Sequence, residues 1–499
     1  MPTNRQVSKS TERNFGDFQT PPSLARNAIA RLREISPRSI IEPTCGTGAF
    51  LSAAMKAFPG ASSLIGADIN KDHLSAARRR LAADGGRAVL IRGDFFELDW
   101  ERLIANLPRP ILVIGNPPWV TNSELGTIGG DNLPGKSNDL NLRGLDALTG
   151  KSNFDISEWM ILKYLDWIAG SEGATGVLCK TAVARKVLRQ ARDRAIPISR
   201  ASMYLIDARA EFGVSVDACF LTIEVRPGAA AFECRVFPSL DAERHSRTIG
   251  FIDGFVIPDT EAYEKMRILN GRDENYPWRS GIKHDCSAVM ELEMSDAILK
   301  NGLGENIEIE ETFLYPLLKS SDLTGGRARR KYLIVTQRRI GEETASIGRI
   351  APLTWRYLES HRERLDARRS SIYRGRPRYS IFGVGDYSFA GWKVAISALG
   401  KKLDFRAVSP YRKKPVVFDD TVNFLPCESA AEARFIAEIL NSEPAREFLE
   451  SMIFWSDKRP LTIELLRRLD LEALSAELGR SREYRHYAAR RRAEYRAVK

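Results

Sequence analysis

No run of about eighteen consecutive apolar residues occurs in the chain, so no segment reads as a membrane span. The opening stretch, Met1–Phe18, lacks the apolar core of a secretory leader, and the expected compartment is the cytoplasm. Six cysteines (45, 179, 219, 234, 286 and 427) are scattered without CxxC spacing, which argues against a zinc centre and against a disulfide framework. Asp419 and Asp420 form the one pair suggestive of a metal site. No further carboxylate or histidine follows at useful spacing, so a turn is expected there and no metal. What remains is 43% hydrophobic and 28% charged, the balance of a soluble chain. At 499 residues it is too long for a single core, and two or three domains are expected.

Charge is unevenly placed. The net +11 is compatible with a polyanionic partner. Arg327, Arg329, Arg330, Lys331, Arg338 and Arg339 bracket a strand candidate, Tyr332–Thr336. A second group runs from Arg362 through Arg378, and the last twenty residues hold seven arginines. All of this lies in the second half.

The first half carries the chemistry-bearing turns. Phe18-Gln19-Thr20-Pro21-Pro22 precedes a helical pattern, with Thr20 placed to cap it. Ser39–Glu42 reads as a strand entering EPTCGTGAFL and a helix through Ala57. Gly46 and Gly48 are present, but position 51 is Leu where a pyrophosphate-binding G-x-G-x-x-G needs glycine, which favours a different cofactor. Strand Ser63–Ala67 ends at Asp68, placed to accept from ribose hydroxyls. Strand Ala88–Arg92 ends in Gly93-Asp94-Phe95-Phe96, where Asp94 suits an adenine amino group and Phe95 its ring face. Ile111–Ile114 stops at Gly115-Asn116-Pro117-Pro118-Trp119. Both prolines there lack N–H donors, Asn116 offers a side-chain carbonyl, and Trp119 a flat face. Such a set suits a planar ring with an exocyclic amino group. Four successive strands thus deposit polar or ring-binding residues at their carboxyl ends, where open α/β sheets bind ligands.

These segments in this order (FQTPP, EPTCGTGAFL, GADIN, GDFFEL, IGNPPW) resemble the adenine-N6 DNA methyltransferases that use S-adenosylmethionine, in the gamma order and of restriction–modification type. The resemblance implies an α/β architecture: a Rossmann-like class I methyltransferase domain over residues 1–235, then an α+β target-recognition domain over 236–499 with a basic C-terminal helix or tail. It implies that Thr20, Pro21, Glu42, Pro43, Gly46 and Gly48 hold the methionine end of S-adenosylmethionine. Asp68 would bind the ribose, Ile69 would lie against the adenine, and Asp94 and Phe95 would read and cover it. Asn116 and Pro117 would grip the target amino group within the Asn116–Pro117–Pro118–Trp119 turn, with Trp119 stacked on a flipped base, and Asn116 would also border the cofactor. Tyr or Phe is commoner at that last place, which keeps cytosine-N4 methylation open. Double-stranded DNA is the implied partner, a monomer the expected state, and the reading leaves room for a separately encoded restriction endonuclease. RNA, a protein glutamine, or DNA binding by an inactive fold are the competing readings.

Thr121–Asn153 is polar and too long for an ordinary connection, so a functional loop is expected. Its Gly130–Ser137 matches the phosphate-loop pattern without the preceding strand, and ATP binding is rejected; Lys136 and Lys151 fit DNA phosphates or solvent better. Helix 154–169, with Trp159 and Trp167, is expected in the core, as is Phe220. Downstream, the glycine–aromatic run 379–398 and the segment Phe454–Pro460 resemble target-recognition regions.

Overall fold

Short apolar runs between residues 39 and 115 pair side by side as parallel strands: β1 (Ser39–Glu42), β2 (Ser63–Asp68), β3 (Ala88–Arg92) and β4 (Ile111–Gly115). The computed structural model describes residues 18–120, 155–295, 298–325 and 331–497. β1 and β4 are buried along their whole length, which is why β4 reads as a continuous aliphatic run and the middle of β1 as Ile-Ile, without alternation. Ile41 lies opposite Ile65 on one side and Val113 on the other, so the carboxyl ends of three strands come level.

The sheet continues through β5 (Gly173–Lys180), parallel to β4, then β7 (Ala218–Val225), antiparallel to β5, then β6 (Ile198–Ile206). Helices Pro22–Ala30, Ala49–Ala57, Lys71–Ala83, Ile156–Ile168 and Thr181–Asp193 accompany it. Their starts follow local chemistry. Asn70 Oδ1 accepts from the Asp72 amide at 2.8 Å and opens Lys71–Ala83, whose buried Leu74, Ala77 and Leu81 recur at helical spacing. Helix Pro22–Ala30 starts differently from expectation. Pro21 is its N-cap with Pro22 just inside, and Thr20 lies one residue too early to cap it.

The chain divides into two units, residues 1–260 and 261–499. The expected boundary at 235/236 therefore moves. β8 (Cys234–Phe237), β9 (Arg247–Ile252) and β10 (Phe255–Ile257) add to the first sheet beyond β6, because Ala201–Tyr204 of β6 still has an open edge that β8 pairs with.

The second unit holds two sheets. One has six strands, from Asn306–Ile307 at one edge through Glu291–Ser295 and Lys331–Ile334 to Val417–Phe418. The other orders Arg279–Ser280, Val422–Cys427, Trp392–Ser397 and Arg406–Val408. Helix Ala430–Leu440 starts with a side-chain cap, Ser429 Oγ accepting from Glu432 N, while Glu432 Oε2 accepts from Glu428 N just before it. The C-terminal arginine-rich stretch is a helix, Ser481–Ala497. Of the glycine–aromatic run, only Trp392–Ser397 is strand; before it the chain makes a single bridge at Phe382 and a 3-10 turn at Asp386–Phe389, with Tyr379, Ile381 and Val384 buried. Asp419 Oδ1 accepts from the Thr421 amide, a turn as expected. No described helix is long and apolar enough to cross a membrane.

Candidate active site

Strand order places the ends of β3, β2, β1 and β4 next to one another, so residues spread over 74 positions of chain (42 to 116) share one rim of the sheet. At the end of β1, Glu42 is 3% exposed, and its Oε2 accepts from the Leu51 amide at 3.1 Å in the first turn of helix Ala49–Ala57. Burial pushes this carboxyl well above the usual range; the Leu51 bond opposes the rise and nearby Asp68 adds to it. A cation placed beside it would restore the carboxylate.

The turn after β1 passes through Gly46 (φ +48°) and Gly48 (φ +77°), both in the left-handed region that residues with a Cβ enter only at a cost. Asp68, at the end of β2, accepts from the Gly46 amide and the Asn70 amide, each at 2.8 Å. These bonds orient the carboxylate at the mouth of the turn and leave lone pairs for further donors. Ile69 beside it is 51% exposed, an apolar shelf at the same rim. Gln19, which the sequence reading passed over, reaches across from the segment before the first helix. Its Oε1 accepts from Thr47 N at 2.9 Å and covers Gly46 so closely that a Cβ there would lie 2.6 Å from it.

After β3, Asp94 Oδ1 accepts from Phe96 N at 2.9 Å. Phe95 does not lie open at the rim. It is 7% exposed and sits among Phe96, Trp100, Trp159, Tyr164 and Trp167, so the ring expected to cover a ligand belongs to an aromatic cluster under the rim. Trp159 and Trp167 are half-buried members of that cluster.

At the end of β4, Asn116 Nδ2 donates to the Phe18 carbonyl at 2.9 Å, across 98 residues of sequence. This bond turns the amide so that Oδ1 faces away, and that buried oxygen has no hydrogen-bond partner. An orphaned buried acceptor costs about 1–3 kcal/mol, so it persists where a ligand donor completes it. Trp119 departs from its expected role as an open face. It is 5% exposed, its indole N–H donates to the Leu178 carbonyl at 3.3 Å, and Phe18 and Phe212 crowd its ring at 5.9 and 5.3 Å. A base stacking on it requires one of those phenylalanines to yield. Phe220 is fully buried and stacks on Phe50 at 6.2 Å, a core ring as expected.

These residues suit S-adenosylmethionine. That cofactor carries hydrogen-bond donors (an ammonium, ribose hydroxyls and an adenine amine), and carboxylates, Glu42, Asp68 and Asp94, stand at or just after three neighbouring strand ends. The orphaned Asn116 oxygen lies one strand further along. Glu42, Gly46, Asp68 and Asn116 are brought together with Phe18 and Gln19 by the contacts above. Thr20, Pro21 and Pro43 lie in the same two segments. Lys136, Lys151 and the phosphate-loop look-alike fall outside the described residues.

Five parallel strands in the order β3-β2-β1-β4-β5, closed by an antiparallel β7 and then β6, with acceptors gathered at their carboxyl ends, define a class I methyltransferase fold, and S-adenosylmethionine is its cofactor. The type II methyltransferase M.NspV of Nostoc sp. is 43% identical over 472 residues, covering 94% of this chain and 98% of that protein. The chain belongs to the type II methyltransferases, the DNA-modifying enzymes of restriction–modification systems. M.CvrRI of a Paramecium bursaria Chlorella virus, also a type II methyltransferase, is 35% identical over 118 residues, 24% of this chain and 28% of that one. Among solved structures, the type IIL restriction-modification enzyme MmeI, in complex with DNA, aligns with 94% of this chain and 66% of its own at 12% identity and a TM-score of 0.49. No family model matches the chain.

Proposed function

We infer that this methyltransferase acts on the N6 amino group of an adenine flipped out of duplex DNA. The observation that carries the reading is the buried, unpartnered Oδ1 of Asn116 at the end of β4, followed at once by two prolines that have carbonyls but no backbone N–H. An aromatic amine is a poor nucleophile because its lone pair is delocalised into the ring. Accepting both N–H bonds, one at Asn116 Oδ1 and one at the Pro117 carbonyl, favours a pyramidal nitrogen with its lone pair localised. Asn116 is held for this by the hydrogen bond its Nδ2 donates to the Phe18 carbonyl, so little reorganisation is needed as charge develops.

S-adenosylmethionine, when bound, supplies a methyl group already activated by a sulfonium. Glu42, with the turn from Pro43 through Gly48 and with Thr20 and Pro21, would hold its methionine end; Asp68 and Ile69 the ribose and adenine; Asp94 the far edge of that adenine, with Phe95 backing the turn from the cluster beneath. The remaining work of the protein is positioning. A base inside the stack cannot reach the rim, and extruding it costs roughly a few kcal/mol, which contact with the Trp119, Phe18 and Phe212 rings would offset in part.

Asn116→Ala removes the acceptor while leaving the other residues assigned to the cofactor in place. Methyl transfer to DNA should be lost while S-adenosylmethionine affinity stays within a few-fold. Near-normal turnover would refute the assignment. Single-molecule modification sequencing of DNA from cells expressing the chain then identifies the base: modified adenine supports this reading, and modified cytosine at N4 replaces it.

A further inference from the structure

We propose that Lys180 is a positioning residue for methyl transfer, holding the Asn116–Trp119 turn in its working geometry through the Trp119 carbonyl. The inference rests on the reading of that turn as the catalytic one. Lys180 is the last residue of β5, the strand beside β4, and therefore stands on the same rim as Glu42, Asp68 and Asn116. Its Nζ donates to the Trp119 carbonyl at 3.0 Å and to Asp155 Oδ2 at 2.7 Å. Asp155 is itself buried, and its other oxygen caps helix Ile156–Ile168 by accepting from the Ser157 amide at 3.1 Å. The Ile156 amide in turn donates to the Val120 carbonyl at 3.0 Å. The two carbonyls that end the turn are thus gripped in succession, one by an ammonium and one by a helix start.

The sequence of the turn makes an outside donor necessary. Pro117 and Pro118 contribute no N–H, so the turn cannot be fixed by its own backbone ladder, and its geometry depends on what donates to its carbonyls. A charge-assisted bond is among the stronger ways to do this. Lys180 is also oriented: the buried Asp155 carboxylate binds the same ammonium and neutralises it, so the cation does not stand uncompensated next to the turn. Displacing reacting groups by about 1 Å can cost about a hundredfold in rate, which sets the scale expected for losing this anchor.

The test is a cycle of Lys180→Met, Asp155→Asn and the double variant, with kcat, the KM for DNA, the Kd for S-adenosylmethionine and the thermal midpoint measured for each beside the wild type. Either single variant leaves a charge without its partner, the buried Asp155 carboxylate or the partly buried Lys180 ammonium, and should lose thermal stability. The double variant removes both charges and should regain most of it, so the measurement does not depend on the singles folding well. If the lysine positions the turn, the double variant keeps kcat at least about tenfold below wild type, with cofactor Kd and DNA KM within about twofold. If Lys180 merely neutralises Asp155, kcat returns with the thermal midpoint, and that result overturns the proposal. Asn116→Ala assayed alongside separates the two failures: a dead Asn116 variant with a fully active double variant removes only the clamp. An active Asn116 variant removes the reading of the turn itself.

Discussion

Lys393 gives the sharpest quantitative test of how the second unit is held together. It lies within strand Trp392–Ser397, is 1% exposed, and donates to the Ala390 and Val416 carbonyls at 2.6 and 2.8 Å, with the Phe418 and Phe424 rings about it. Neither of these hydrogen-bond acceptors is a carboxylate. Burial lowers its pKa from 10.5 to about 7. Between pH 7 and 10.5 the unfolded chain binds a proton here that the folded chain does not, so stability from this group rises with pH through that window; below pH 7 both states are protonated and the penalty levels off. At 1.36 kcal/mol per unit, the gain is ~2 kcal/mol from pH 7 to 9 but only ~0.4 kcal/mol from pH 6 to 7. Lys393→Met deletes the titration, while the two carbonyls it abandons contribute an offset that does not vary with pH. Unfolding free energies of both chains, read by pulse proteolysis in urea at pH 6, 7, 8 and 9, give the difference directly. The wild type should gain on the variant by ~2 kcal/mol between pH 7 and 9. A difference constant within about 0.5 kcal/mol over that range would refute the argument.

Two further outcomes are expected. Arg374 and Arg376 are exposed in the basic stretch of the second unit; if they meet phosphates, Arg374→Gln and Arg376→Gln each weaken DNA binding and take about one unit off the salt-dependence slope, whereas Asn116→Ala leaves that slope unchanged in filter-binding titrations. Gly48→Ala puts a Cβ on a residue at φ +77°, 3.1 Å from the Ala77 Cβ. It should lower stability by about 1–2 kcal/mol in denaturant titration and weaken S-adenosylmethionine binding; unchanged cofactor affinity would separate this turn from the cofactor.

Other features of the second unit have plain structural roles. Arg459, beside Pro460, donates to the Asp420 carbonyl and pairs with its carboxylate at 3.2 Å, tying the segment between helices Glu443–Ser451 and Ile463–Leu466 to the turn at Asp420. Arg368, in the basic stretch, stacks 3.7 Å over Tyr373 and donates to the Leu365, His284 and Ser380 carbonyls, so it braces the unit internally.

The strand-and-turn alternation of residues 39–115 was legible from sequence because its signals are local. Continuous apolar runs stop at glycine, asparagine or aspartate, and β1 and β3 begin and end where their residues say they should. The sequence alone also determined which residue types stand at the four strand ends, and hence the chemistry the rim can perform. Position across the sheet is not local. Only interstrand pairing decides that β1 lies between β2 and β4, that three further strands carry the first unit to residue 260, and that β5 brings Lys180 to the Trp119 carbonyl. Lys180 could have been suspected, since it ends a strand as Glu42 and Asp68 do, but its partner Asp155 could not. Burial is likewise a property of neighbours. An aromatic ring in sequence suits a ligand's face and a core equally, and packing put Phe95 and Trp119 among other rings. Tertiary structure alone oriented Asn116, because the carbonyl that turns its amide belongs to Phe18, 98 residues earlier.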